Sequence, residues 1–359
     1  MSALSFADKR LLVIAFVLTA AAGVMDAHPV GKIVPFLVSA LALAALASLV
    51  GVAVDALGDK LGAGATGVVQ SALGNLPELF VCIFALRAGL DDVVRAAIVG
   101  SILSNVLLVL GFAFIVGGLK HGVQRFPAPT ARNLGLLMLL AVAGLMLPAL
   151  TDALHSPAHG HELAFSRVVA ALLLLVFILS LPAALARSET PAAGETSVEQ
   201  DADGQVREWS LALALGMLAV SGVGAAFVSD WFVVALTPAI EVLHLSQAFA
   251  GLVIVAIASN AVENVVGIQL AAKNNMDYAI SVILQSPIQI ALVLAPVLVL
   301  IAPLVGASFT LVLSPLLIAV LAISVIVTVV VVFDGESTWL EGVSLVALYG
   351  ICATAFYWG

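Results

Sequence analysis

Two glutamates lie inside long apolar stretches of the chain. Glu78 occurs in SALGNLPELFVCIFAL, and Glu263 occurs in IVAIASNAVENVVGIQL. A charged side chain at the depth of a bilayer costs at least about 2.5–3.5 kcal/mol, so residues kept there usually pair, bind an ion or titrate. The sequence therefore predicts two functional carboxylates rather than two structural ones.

Several polar residues close to the two glutamates could provide further ligands. Their side chains carry amide and hydroxyl oxygens, and none of them is His, Cys or Met. Ca²⁺ accepts about six to eight oxygen ligands in flexible geometry, whereas softer metals such as Zn²⁺ prefer nitrogen and sulfur. The set therefore predicts a Ca²⁺ site, whose candidate residues are Glu78, Glu263, Asn75, Asn260, Ser101, Ser104, Ser286 and Gln289.

The two glutamates occupy equivalent positions of an internal repeat. Positions 74–110 align with positions 259–295 without gaps, and eight of the 37 positions are identical. Polar identities are the informative ones, because polar residues are scarce in these stretches. A duplicated site is typical of secondary transporters, whose substrates bind where two repeats meet. The polar pairs are Asn75 with Asn260, Glu78 with Glu263, Asp92 with Asp277 and Ser101 with Ser286.

Protons and Ca²⁺ are predicted to compete for the two carboxylates. Burial in a medium of low dielectric constant favours the protonated form of a glutamate, whereas a bound dication favours the charged form. Competition for the same two carboxylates is the simplest mechanism by which a protein can exchange Ca²⁺ for H⁺. It implies that the apparent affinity for Ca²⁺ falls as the pH falls.

The composition indicates that these stretches lie in lipid. Of the 359 residues, 63% are hydrophobic and 10% are charged, whereas a soluble domain has about 25% charged residues. The apolar runs are continuous and lack the alternation of a β-barrel strand. We therefore predict an all-α integral membrane protein with about 11 transmembrane helices. The segments are 9–27, 32–54, 65–88, 93–119, 131–150, 162–185, 209–229, 247–273, 277–301, 308–333 and 339–358.

The repeat and the number of segments together predict the architecture. One extra N-terminal helix (1–30) precedes two five-helix repeats, 31–185 and 209–359, and the acidic stretch 186–208 links them. An odd number of spans in each repeat inverts the second copy relative to the membrane. Most Lys and Arg residues fall on one side, which predicts that the N-terminus and the linker are cytoplasmic. Gly74 and Pro77 indicate a helix break next to the first glutamate.

Three groups of motifs resemble those of the cation/Ca²⁺ exchanger superfamily, and specifically of its Ca²⁺/H⁺ antiporter branch. They are GNLPEL with GSILSNVLLVLG, SNAVEN with SPIQIAL, and FDGESTWLEG at 333–342. The resemblance implies one helix followed by two inverted five-helix repeats, with Glu78 and Glu263 as the carriers of cation and proton. The chain departs from the pattern at Asn264, where that branch often has His, and at Pro77, which is closer to the Na⁺/Ca²⁺ exchanger pattern.

One functional expectation and two alternatives follow. We expect a secondary active antiporter, not an enzyme, that exchanges Ca²⁺ for H⁺ in a bacterial-type inner membrane. A Na⁺/Ca²⁺ exchanger on the same scaffold is the nearest alternative, and a cation channel is a more distant one. The expected partners are Ca²⁺, protons and the lipid bilayer. A homo-oligomer is compatible with the sequence, and no cofactor and no nucleic acid are expected.

Two stretches allow a second interpretation. The segment 9–27 begins with Lys9 and Arg10 and continues with an apolar stretch, as a secretory signal peptide would, although the apolar stretch is long for that role. The histidines and the glutamate of the loop HSPAHGHE (155–162) cluster in sequence. We interpret this loop as solvated rather than as a metal site.

Overall fold

Helices account for nearly all the regular structure in the described part of the chain. The computed structural model describes residues 4–61, 73–156, 158–188 and 209–358, and it describes the backbone alone at 59–61, 181–188 and 261–263. Eight helices in these residues are long and apolar enough to cross a membrane, and a bent pair, Gln247–Ser259 with Asn264–Ala272, makes a ninth. The all-α architecture is thus confirmed, with eight or nine candidate membrane spans in the described residues.

Twelve helices and one short sheet make up the described residues. Three of the helices contain a π-helical turn. In chain order the elements are α1 (Phe6–Ala27), α2 (Val34–Leu61), α3 (Leu76–Arg87), α4 (Asp91–His121), β1 (Gln124–Arg125), α5 (Ala128–Ala153), α6 (Glu162–Ser188), α7 (Leu211–Leu243), α8 (Gln247–Ser259), α9 (Ala261–Ala272), α10 (Met276–Val305), α11 (Pro315–Val331), β2 (Glu336–Ser337) and α12 (Trp339–Tyr357).

The same local structure recurs at equivalent positions of the two aligned stretches. The chain turns at Asn75 and again at Asn260, and the helices that follow, α3 and α9, begin and end at equivalent positions. The π-helical turns Ser104–Val109 in α4 and Ile290–Leu294 in α10 also end at equivalent positions. Turns of this kind are frequent at functional sites. Pro77 lies in the first turn of α3, where proline is tolerated because that N–H has no helical partner.

One compact unit consists of Met1–Val81 and Val176–Ala239. In it, α1 packs along α2. Trp209 is fully buried against Leu57, and its Nε1 donates to Asp8 Oδ2 at 3.3 Å. Apolar packing and a satisfied indole N–H therefore hold the beginning of α1 beside Trp209, which lies two residues before α7.

The other compact unit consists of Cys82–Leu175 and Ile240–Gly359. Its helices α4 and α8 cross so closely that a Cβ atom added to Gly100 would collide with the carbonyl of Leu252. A Cβ atom on Gly251 would likewise meet the backbone of α4. Only glycine allows such an approach without displacing a helix. The crossing fixes α8, and hence the break at its end, against α4.

The two-stranded sheet belongs to the same unit. β1 and β2 are antiparallel, with Gln124 opposite Ser337 and Arg125 opposite Glu336. The turn before β2 contains Gly335 at a φ of +81°, and a Cβ atom there would meet the backbone at Phe126. The sheet therefore fastens the stretch FDGEST to the end of α4.

Several predicted segments differ in extent from the helices. α7 continues to Leu243, beyond the predicted end at 229, because neither Asp230 nor Pro238 interrupts it. α11 begins at Pro315 rather than near 308, because Ser314 caps it through the N–H of Leu317. The first part of the segment 65–88 and most of the linker 186–208 lie outside the described residues.

Candidate cation site

Each of the two glutamates is the third residue of a short helix that follows an asparagine. Glu78 lies in the first turn of α3 and is 1% exposed, and Asn75 is also buried. Glu263 holds the same position in α9, although its side chain lies outside the described residues. The N-terminus of a helix carries partial positive charge, which stabilises a carboxylate. Both positions therefore suit a group that must be anionic when it binds a cation.

Asn260, at the break between α8 and α9, is hydrogen-bonded to α4. Its Nδ2 donates to Ser101 Oγ at 2.9 Å and to the carbonyl of Ala256 at 3.1 Å. Both Asn260 and Ser101 are buried. The structure thus brings together two of the predicted ligands, which are 159 residues apart in sequence.

Asn105 connects α4 to α10 and is not among the predicted site residues. Its Nδ2 donates to Ser286 Oγ at 3.2 Å and to the carbonyl of Ser101 at 3.0 Å, and the residue is 0% exposed. The only sequence signal for it is its place at the end of GSILSN. The alignment of the two repeats does not identify Asn105 as a ligand, because its equivalent is the apolar residue Ile290.

Six buried side-chain oxygens in this unit have no hydrogen-bond partner among the described residues, and three of the six belong to the motifs GSILSN and SNAVEN. These three are Ser104 Oγ, Asn105 Oδ1 and Asn264 Oδ1. Buried polar groups are normally satisfied, and leaving one unsatisfied costs about 1–3 kcal/mol. Oxygens with free lone pairs are the ligands that a hard cation such as Ca²⁺ takes. These atoms therefore fit a cation site better than a sealed apolar core.

The structure connects three of the predicted residues and buries two more in the same unit. Ser101 contacts Asn260 directly, and it is linked to Ser286 through Asn105. Ser104 and Gln289 are buried on α4 and α10, about one turn after Ser101 and Ser286. The glutamate and the asparagine at the start of α3 belong to the other compact unit.

A second set of contacts holds the far end of α9. Gln124 is buried, and its Nε2 donates to the carbonyl of Ala271 at 3.1 Å and to Asn274 Oδ1 at 2.9 Å. His121 Nε2 lies 3.0 Å from the carbonyl of Ala272. The last carbonyls of a helix have no partner inside it. The residues at the start of the sheet therefore cap the helix that carries Glu263.

Comparison with known proteins agrees with this arrangement of motifs. The family model described as sodium/calcium exchanger protein matches residues 32–185 and 213–358, which include all eight predicted ligands. The chain belongs to this family. As a member with at least eight helices able to cross a membrane in its described residues, it is a multi-pass integral membrane protein.

Two relatives and one solved structure that resemble the chain are named as antiporters. The Ca(2+)/H(+) antiporter of Synechocystis sp. is 33% identical over 343 residues, which cover 91% of each chain. The Ca(2+)/H(+) antiporter ChaA of Bacillus subtilis is 33% identical over 90% of this chain and 91% of its own. The crystal structure of the Ca2+/H+ antiporter protein YfkE matches with a TM-score of 0.82 and 28% identity, over 97% of this chain and 99% of YfkE.

Proposed function

We propose that the protein is a secondary antiporter that exchanges Ca²⁺ for H⁺. The observation that carries this proposal is the pair of glutamates at equivalent positions of two short helices, near motifs that bury oxygens without hydrogen-bond donors among the described residues. The Ca²⁺/H⁺ antiporters among its relatives support the same exchange. The Na⁺/Ca²⁺ alternative has no comparable support among these relatives.

In the proposed mechanism, Ca²⁺ and protons occupy the same carboxylates in turn. Glu78 and Glu263 bind Ca²⁺ in their charged forms, and protonation releases it, because a carboxyl group cannot hold both. Neutral oxygens complete the coordination shell, since Ca²⁺ takes more ligands than two carboxylates offer. No cofactor takes part. The neutral ligands predicted from the sequence are Asn75, Asn260, Ser101, Ser104, Ser286 and Gln289. We add Asn105 to them, because its amide oxygen is buried without a hydrogen-bond partner among the described residues.

Alternating access would follow from an inverted repeat. We propose eleven spans, with an extra helix at 1–30, repeats at 31–185 and 209–359, and a cytoplasmic linker at 186–208. The matching bounds of α3 and α9 and the matching π-helical turns of α4 and α10 support the duplication. Two related halves of opposite orientation can expose a midplane site to either side in turn. The N-terminus would lie in the cytoplasm and the protein in a bacterial-type inner membrane.

The test is ⁴⁵Ca²⁺ uptake into proteoliposomes with an imposed pH gradient and no Na⁺. Wild type would be compared with Glu78→Gln and with Glu263→Gln, which keep the size of the side chain and remove its charge. Glu241→Gln is the matched control, because Glu241 is exposed at the end of α7. Size-exclusion profiles of each variant would show that the protein is folded before reconstitution.

Uptake driven by the pH gradient, retained in the control and lost in both variants, would establish Ca²⁺/H⁺ exchange at these residues. Uptake that required a Na⁺ gradient instead would identify the protein as a Na⁺/Ca²⁺ exchanger. Activity retained in Glu263→Gln would contradict the role of the second glutamate. Uncoupled Ca²⁺ flux that does not respond to either gradient would indicate a channel.

A further inference from the structure

The loop between α5 and α6 gathers three metal-ligating side chains outside the candidate cation site. His159 Nδ1 lies 3.0 Å from Asp152 Oδ1 and 3.5 Å from Glu162 Oε1. One ligand atom from each of the three residues lies within 4.8 Å of the other two. Asp152 is near the end of α5 and Glu162 begins α6, so the cluster joins the ends of two helices.

The two distances from His159 are close to the spacing of ligands around a tetrahedral metal ion, and the third separation in the cluster is at most 4.8 Å. Bonds of about 2.0–2.1 Å from Zn²⁺ to nitrogen or oxygen place neighbouring ligand atoms about 3.3 Å apart. The two measured separations from His159, 3.0 and 3.5 Å, lie on either side of that value. An ion could therefore enter by replacing the proton of the imidazole nitrogen, with small movements of the two carboxylates.

The chemistry and the exposure of the cluster indicate which ion would bind. One imidazole and two carboxylates suit a divalent transition metal such as Zn²⁺, whereas Ca²⁺ prefers an all-oxygen shell. The side chain of His159 is 48% exposed, so a hydrated ion can reach it and keep one water as a fourth ligand. The ring of His155 lies 4.8 Å from that of His159 and limits its movement.

We propose that this loop binds one divalent transition-metal ion of the Zn²⁺ type through Asp152, His159 and Glu162. The bound ion would connect the end of α5 to the start of α6. The proton displaced from the imidazole goes to solvent. The site is separate from the transported cation, and it does not depend on the proposed exchange activity.

The test is calorimetric titration of Zn²⁺ into the full chain, purified in detergent without an affinity tag and stripped of metal with a chelator. Excess Ca²⁺ in the buffer would occupy the candidate transport site. Wild type would be compared with His159→Ala, Asp152→Asn and Glu162→Gln. His28→Ala, which removes an exposed histidine after α1, is the matched control, and Glu78→Gln controls for Zn²⁺ at the transport site.

We expect one Zn²⁺ per chain, unchanged affinity in both controls, and a loss of about 100-fold or more in His159→Ala. Loss of an outer-shell partner alone costs about 10- to 100-fold, so loss of a ligand should cost at least as much. The absorption spectrum of bound Co²⁺ would report the tetrahedral geometry in wild type and its loss in Asp152→Asn. Absence of saturable binding, or equal binding in His159→Ala, would overturn the proposal, as would loss of Zn²⁺ binding in Glu78→Gln.

Discussion

Replacement of Asn105 by leucine should separate a role in cation binding from a role in stability. The residue lies at the contact of α4 with α10, where its amide nitrogen holds Ser286 and the backbone at Ser101. Its amide oxygen is buried without a hydrogen-bond partner among the described residues. Leucine has a similar size but offers neither donor nor acceptor. The variant Asn105→Leu therefore removes both sets of interactions at once.

We expect a small effect on stability and a larger effect on Ca²⁺ binding. The amide nitrogen stabilises the fold through its hydrogen bonds, whereas the buried amide oxygen without a donor destabilises it. Loss of two hydrogen bonds, each worth about 1 kcal/mol, destabilises the protein by about 2 kcal/mol. Removal of the buried acceptor that lacks a donor returns about 1–3 kcal/mol, so the two contributions nearly cancel. A contact to a charged group is worth about 1.5–3 kcal/mol, so loss of the amide oxygen as a ligand should weaken Ca²⁺ binding by roughly 10- to 100-fold.

Two measurements on the same preparation would test this reasoning. Thermal unfolding in detergent should give a Tm close to that of wild type, and ⁴⁵Ca²⁺ uptake should show a KM for Ca²⁺ raised by the stated factor. Asn133→Leu, on the exposed face of α5, is the matched control and should leave both values unchanged. A marked fall in Tm with an unchanged KM would refute the reasoning, because it would show that Asn105 only holds the helices together.

Three further outcomes follow from the structure and the proposed exchange. The KM for Ca²⁺ should rise as the pH is lowered, because protons compete with Ca²⁺ for the carboxylates. A KM independent of pH would contradict this competition. Gly100→Ala should destabilise the protein by about 1–3 kcal/mol through its contact with α8. Gly350→Ala should leave the stability unchanged, because nothing lies within 4 Å of the new Cβ atom. Equal Tm values for the two variants would contradict the close crossing of α4 and α8. Gln124→Leu should speed amide hydrogen exchange at the end of α9, and unchanged exchange there would show that the cap is dispensable.

The apolar helices and the break next to Glu78 could be predicted because both have local causes. Long runs of apolar residues specify spanning helices without reference to the rest of the chain. Gly74 and Pro77 predicted a break next to Glu78, and the chain turns there at Asn75. In the second repeat Pro287 suggested a break, but it lies inside α10, and the break occurs at Asn260 instead. The predicted end of the seventh segment, at position 229, is too early. The helix instead continues through Asp230 to Leu243.

The features that the sequence did not predict depend on contacts between distant residues. Asn105 has no polar equivalent in the second repeat, so the repeat does not identify it, and its hydrogen bond to Ser286 connects it to the predicted ligands. The pairing of Gln124 with Ser337 joins distant parts of the sequence through two very short strands. Strands this short leave no periodic pattern that could be recognised in a sequence.

Neutral ligands around two carboxylates have a consequence for coupling in the proposed mechanism. Two ionised glutamates with one Ca²⁺ carry no net charge, and two protonated glutamates carry none either. The empty site carries two negative charges, whose transfer into a medium of low dielectric constant is strongly unfavourable. We therefore expect the site to switch its exposure from one side of the membrane to the other when it holds either Ca²⁺ or protons. When it is empty, it would not switch. Ligands such as Asn105 and Ser104 complete the coordination without adding charge, which preserves this balance.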